Sequence, residues 1–186
     1  MSRTPEDIQD ELLVLRCQEG DDDALRALIT RWQPRLGRLA WRLTGNRESA
    51  RDAVQETWLA IVRGLRRLDD PARFRSWAYR IAVNKCADWT RRRVVLRSAA
   101  SDLRDAAASA PRAVTGAADQ EDDAAHIRDA MAKLPGEQRA ILSLHYLDEM
   151  GVSEIGEVLE IPKGTVKSRL HHARNRLRQA LERMNE

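Results

Sequence analysis

The 186-residue chain contains no uninterrupted apolar run near the roughly 18 to 20 residues that a membrane-crossing helix requires, so no membrane insertion is expected. It has only two cysteines, Cys17 and Cys86, far apart and without CxxC spacing, which excludes a disulfide framework and a paired-thiol redox motif. Both read as buried small side chains of a protein from a reducing compartment. The four histidines, at positions 126, 145, 171 and 172, have no metal-ligand spacing. There is no glycine-rich phosphate loop, and no Ser-His-Asp set can be assembled. Neither catalysis nor a cofactor is therefore expected. The opening "MSRTPEDIQDELL" is acidic where a secretory leader is basic and then apolar, which points to the cytoplasm. Strand-like alternation of apolar and polar residues is missing as well.

What the chain has in quantity is helical periodicity and segregated charge. The net charge of +3 conceals four blocks: −6 over residues 1–23, +12 over 24–97, −4 over 98–130 and +1 over 131–186. The last block is itself polarised, since 163–183 holds seven basic residues against Glu182. Two separate positive surfaces favour a polyanion partner. Aromatics are scarce, and seven of the eight lie between Trp32 and Trp89, inside the most basic block. Most of these rings are needed to fill a small helical core. Interleaved with arginines, as in "ARFRSWAYRIAVNKCADWTRRR", they also suit single-stranded nucleic acid, where bases stack on rings and cations follow the phosphates.

The periodicity predicts an all-α protein of two small helical domains. Leu25, Leu28, Ile29, Trp32, Leu36, Leu39 and Leu43 form one stripe, stopped by "TGN" at 44–46 and open to a kink at Pro34. Ala50, Val54, Trp58, Ile61, Leu65 and Leu68 form a second, broken by "DDP", where Asp70 and Pro71 suit the cap and first position of a third helix carrying Trp77, Ile81 and Trp89. Residues 98–122 are rich in Ala, Ser and Asp and read as a flexible linker, so the expected domains are 1–97 and 123–186. In the second domain, "VSEIGEVLEIPKGTVKSRLHHARNRL" has a short helix near 152–159, a turn at "EIP" and a longer helix from Lys163. That is the pattern of a helix-turn-helix, with Ile155, Leu159, Ile161, Val166 and Leu170 as its core and Gly156 where the helices cross closely. Lys163, Thr165, Lys167, Ser168, His171 and His172 would then face the major groove, and Arg169 and Arg174 would reach flanking phosphates. The competing use of this face is a coiled-coil seam of Val166, Leu170, Ala173, Leu177, Ala180 and Met184, which is only about three heptads long.

"TGNRESARDAVQETWLAIVRGL" and "FRSWAYRIAVNKCADWTRRR", followed by a linker and then "LPGEQRAILSLHYLDEMGVSEIGEVLEIPKGTVKSRLHHARNRLRQAL", resemble the extracytoplasmic-function (ECF) group of bacterial sigma-70 family transcription factors, over about residues 10–183. The resemblance implies binding to core RNA polymerase at its beta-prime clamp and beta flap, recognition of promoter DNA, and promoter melting. "DAVQETW" matches the clamp-docking segment and implies roles there for Asp52, Gln55, Glu56 and Trp58. "RFRSWAYRIAVNKC" matches the part that melts the minus-ten element, which places Arg73, Phe74, Arg75, Ser76, Asn84 and Lys85 along a single-strand site, with Trp77 and Ile81 packed inward. Asn84 suits a base edge because its amide both donates and accepts. Lys167, Ser168, His171 and His172 match the positions that read the minus-thirty-five element. The likeness also raises an anti-sigma protein as a further partner.

Three features depart from the family pattern. Gly151 stands where a Ser or Thr cap is common, so Gly151 or Ser153 must serve and a frayed helix start is expected. Glu160 occupies a turn position where Gly is common, which implies strain if φ is positive there. The pair His171-His172 is unusual on a DNA-facing surface; protonation would add phosphate attraction, so DNA affinity is expected to rise as pH falls toward about 6. The principal alternative function is a stand-alone regulator reading an operator as a dimer. A basic peripheral-membrane or RNA-binding protein would explain the charge but not the helix-turn-helix.

Overall fold

The computed structural model describes residues 4–101 and 120–184, with side chains described over 4–93 and 126–184. Regular structure among the described residues is helical throughout. The N-terminal unit contains α1 (Pro5–Gln18), α2 (Asp22–Thr44), α3 (Arg47–Gly64) and α4 (Phe74–Ser101); the C-terminal unit contains α5 (Gln120–Ala132), α6 (Gly136–Leu142), α7 (Val152–Leu159) and α8 (Lys163–Glu182). α4 continues as far as Ser101 and α5 starts at Gln120, so helix enters both ends of the segment expected as linker, whose middle, 102–119, lies outside the described residues.

Local chemistry sets the helix ends. Thr4 Oγ1 accepts from the Asp7 N–H at 3.1 Å while the Asp7 carboxylate accepts from the Thr4 N–H at 2.9 Å, a reciprocal cap for α1. Asp21 caps α2, which runs through Pro34 and stops at Gly45, where φ is +64°. Asn46 Oδ1 accepts from the Ser49 N–H and opens α3. Asp70 Oδ1 accepts from the Ala72 N–H, and Pro71 begins the single turn that leads into α4.

The N-terminal core is built on Trp32, which is fully buried. Phe74 meets it edge-on at 5.1 Å between centroids and Tyr79 at 5.7 Å; such pairs contribute about 0.5–1.5 kcal/mol each beyond area burial. Leu28, Leu36, Leu39 and Ile61 complete the centre. Trp77 packs from the side against Gly64, where a Cβ would stand 2.8 Å from the indole, so a side chain at 64 and Trp77 in its present place exclude one another. α1 is pinned to α2 by Arg31, whose Nε donates to the nearly buried Asp10 at 2.6 Å, and by Arg35, which reaches Glu6 at 2.6 Å.

In the C-terminal unit a wide turn, Ser143–Leu147, links α6 to α7 and closes with the Asp148 N–H donating to Ser143 O at 3.0 Å. α7 and α8 form the helix-turn-helix. Its turn carries Glu160 at φ +55°, so a non-glycine residue does hold the left-handed conformation there. Gly151 is the cap of α7, with its N–H held by the Glu154 carboxylate at 2.9 Å, and Ser153 is not used. At Gly156 a Cβ would stand 3.0 Å from the Ile161 carbonyl and 3.8 Å from Val166 Cγ2, which is the close crossing expected of that glycine. Val166, Leu170 and Ala173 bury the inner face of α8, and Leu177 is half-buried.

The two units pack together, with α7 lying on α4 and α6 approaching α2, and their buried apolar residues form one continuous cluster.

Candidate polymerase and nucleic-acid surfaces

α3 buries Ala50, Ala53, Val54, Thr57 and Ile61 and turns the opposite face outward. Gln55 is exposed on that face and Asp52 partly so. Glu56 points instead toward α4, where Lys85 and Arg92 each approach its carboxylate at 3.3 Å. Trp58 is half-buried against the core, and its indole N–H donates to Gln33 Oε1 at 2.5 Å. The outward face also carries Leu59 and Val62, both about half exposed. These two escape sequence reasoning because attention goes to the buried stripe. The signal is their spacing, four and seven residues beyond Gln55, which puts apolar side chains on a face that folding leaves bare.

Of the six residues expected along the single-strand site, Arg73 and Asn84 are exposed, and Arg75, Ser76 and Lys85 are partly so. Phe74 requires correction: it is 1% exposed and wedged against Trp32, because a large ring at the first turn of α4 is what closes the core there. Trp77 and Ile81 pack inward as expected, both partly buried against the core. Arg80, absent from the expected set, lies one turn before Asn84 and is partly exposed.

On α8, Lys163, Lys167, Ser168, His171, His172 and Arg174 are exposed, and Thr165 and Arg169 partly so. Arg169 pairs with Glu137 of α6 at 3.0 Å. The Arg174 guanidinium lies over the Tyr146 ring, 5.5 Å from its centroid. The two histidine rings meet edge-on at 5.7 Å, and Asn175 lies 3.1 Å from His171 Nε2. Between α6 and α8 a shallow groove is lined by Glu137, Arg169, His172 and Arg176. The exposed row can present cations and hydrogen-bonding groups to a duplex without disturbing the face that holds α8 to its domain.

No group of three or more His, Cys, Asp or Glu able to hold a metal ion occurs among the described residues, and none of their helices is long and apolar enough to cross a membrane.

Two family descriptions match this chain: Sigma-70 region 2 over residues 28–94 and Sigma-70, region 4 over residues 125–184. Among curated proteins, the ECF RNA polymerase sigma factor SigL of Mycobacterium tuberculosis is 35% identical, covering 86% of this chain and 90% of its own length. The ECF RNA polymerase sigma factor SigW of Bacillus subtilis is 29% identical, covering 90% of this chain and 94% of its own. Among solved structures, CnrH in complex with the cytosolic domain of CnrY is similar in fold, with a TM-score of 0.69 at 24% identity over 94% of this chain and 97% of that one. The sigma factor RpoE of Bartonella quintana, in complex with the anti-sigma factor NepR, has a TM-score of 0.68 at 22% identity over 85% and 96%. With both sigma-70 regions matched in order and an ECF relative 35% identical over 86% of this chain, the chain belongs to the ECF RNA polymerase sigma factors.

Proposed function

We propose that the chain acts in the cytoplasm as a promoter-specificity subunit, docking on core RNA polymerase and directing it to two promoter elements. α3 supplies the clamp contact through Asp52, Gln55 and the bare Leu59 and Val62, with Glu56 and Trp58 supporting that face from beside and beneath. α4 supplies the melted-strand contact through Arg73, Arg75, Ser76, Asn84 and Lys85. Phe74 has no place in that set; its ring belongs to the core. α8 reads the minus-thirty-five element through Lys163, Thr165, Lys167, Ser168, His171 and His172, with Arg169 and Arg174 on phosphates, and the C-terminal unit meets the beta flap. An anti-sigma protein is a further partner of this reading, as in the RpoE and NepR complex.

The observation that carries the proposal is the division of α8: Val166, Leu170 and Ala173 are buried, while Lys163, Lys167, His171 and His172 are exposed on the other side. The test is reconstituted transcription. Purified chain added to core polymerase should produce promoter-dependent transcripts from cognate genomic fragments, and core alone should not. A stand-alone regulator would instead shift duplex operator DNA without core, and transcripts that are independent of the chain would overturn the proposal.

A further inference from the structure

The last side chain of α1 holds a distant part of the N-terminal unit. Gln18 is partly buried, and its Nε2 donates to Leu65 O at 3.0 Å and to Leu68 O at 2.8 Å, across 47 and 50 residues of chain. These two carbonyls bracket the single turn Leu65–Arg67 that follows α3. Both partners are acceptors, so the amide nitrogen must face them, and one NH2 group uses both of its hydrogens on the turn. The turn also lies along the corner between α1 and α2, where a Cβ on Gly20 would stand 3.9 Å from an Arg66 Nη atom. Arg66 and Arg67 are exposed on it, and four residues separate Leu68 from Arg73.

We propose that Gln18 is a positioning residue for the strand site: by fixing the turn after α3 it sets where Arg66, Arg67 and Arg73 stand relative to α4, and so how sharply the single strand is discriminated by sequence. The inference rests on the assignment of α4 to the melted strand.

The end of a helix leaves carbonyls without intrahelical donors, and the chain makes two single turns, Leu65–Arg67 and Pro71–Arg73, before α4 begins. The second turn is set locally, with Asp70 capping Ala72 and the Arg73 N–H donating to Asp70 O at 3.0 Å. Phe74, held on Trp32, fixes where α4 starts. Between the two turns Leu68 is extended, at φ −77° and ψ 104°, and Asp69 is exposed, so the chain there depends on a contact from outside. Gln18 supplies it, and Gln18 is itself placed by the ion pairs that pin α1 to α2. The expected consequence is selectivity. Cations on a loosened turn still attract phosphates of any sequence, whereas fixed phosphate contacts hold the strand in register with a base-reading group such as Asn84.

The test uses the full chain assembled with saturating core polymerase and two fluorescein-labelled single-stranded oligodeoxynucleotides. One carries the non-template minus-ten element of a promoter active in the reconstituted reaction, and the other carries that element scrambled. Gln18→Met keeps the length of the side chain and removes both hydrogens; Gln18→Glu keeps its shape and, ionised, offers acceptors alone. Gln9→Met, at an exposed position of the same helix, is the control. Both Gln18 variants should lower the ratio of cognate to scrambled affinity by about tenfold, the scale of the two hydrogen bonds removed, through weaker binding of the cognate strand. Gln9→Met should leave the ratio at the wild-type value. The ratio does not depend on the fraction of chain that is folded, so a loss of stability by itself leaves it unchanged. A wild-type ratio in both Gln18 variants, equal weakening of the two strands, or the same change in Gln9→Met overturns the proposal. A wild-type complex that shows no preference for the cognate strand removes the assignment of α4 and this inference with it, whereas a preference kept by the Gln18 variants overturns this inference alone.

Discussion

Lys85 of α4 lies 3.3 Å from Glu56 of α3, joining a residue assigned to single-stranded DNA with one from the segment assigned to the polymerase. Arg92 shares that carboxylate. Glu56 is thereby turned along the α3 and α4 seam, while Gln55 and Asp52 face outward. Glu56→Gln is expected to cost no more than about 1 kcal/mol of stability, because both pairs are partly solvated. Gln55→Ala and Asp52→Asn should weaken binding to core polymerase more than Glu56→Gln does. Equilibrium binding of the three fluorescently labelled variants to core establishes the order.

Gly156 gives a prediction about the helix-turn-helix itself. Gly156→Ala gains helix propensity of about 1 kcal/mol but drives a methyl group to 3.0 Å from the Ile161 carbonyl, in a turn that cannot yield without moving Val166. A net loss of about 1–2 kcal/mol is expected from overpacking. Gly37→Ala, where nothing lies within 4 Å of the added atom, should stabilise by up to about 1 kcal/mol. Thermal unfolding of the pair should shift in opposite directions.

The thiols should be inert. Burial pushes Cys86 up to about 12 and raises Cys17 as well, so neither presents much thiolate at pH 8. Alkylation by iodoacetamide is expected to be slow in the native protein and complete for both cysteines in denaturant. Native labelling as fast as that of a free thiol would contradict this.

Acid should loosen the attachment of α1. Arg35, by hydrogen bond and charge, holds Glu6 below the usual carboxylate range. The Thr4 backbone N–H does the same for Asp7, and the Ala24 N–H and Arg16 for Asp21. Lowered native values mean that this stability is fully present above the unfolded-state range and is lost as pH falls through the native values. The melting temperature should therefore be level from pH 7 to about 5 and decline below about 4, with a shallower decline in Glu6→Gln. A decline that begins near neutrality would show that other groups dominate.

Much of the fold is legible in the sequence because its signals are local. Gly45, Asn46, Asp70 and Pro71 end and begin helices through their own backbone chemistry, and Gly156 marks a crossing through a side chain it lacks. Phe74 is harder. In sequence it sits between two arginines in a basic stretch and reads as a stacking ring, and only the position of Trp32, forty-two residues earlier, makes it core. The burial of Asp148 is not legible at all, since it has no local feature that distinguishes it from a solvated carboxylate. Its side chain is 7% exposed, its carboxylate accepts from Arg42 and Tyr79 and its backbone carbonyl from Arg75, all on two distant helices. The exposed cations of α8 are readable because one helix carries both the buried stripe and the free face.

The most direct measurement is binding of the purified chain to promoter-free core RNA polymerase, followed by anisotropy of a label on the chain. Saturable binding at one chain per core, weakened by Gln55→Ala and Asp52→Asn and indifferent to His171→Gln, is the predicted result. A chain that binds duplex DNA but shows no association with core at any concentration would contradict the account.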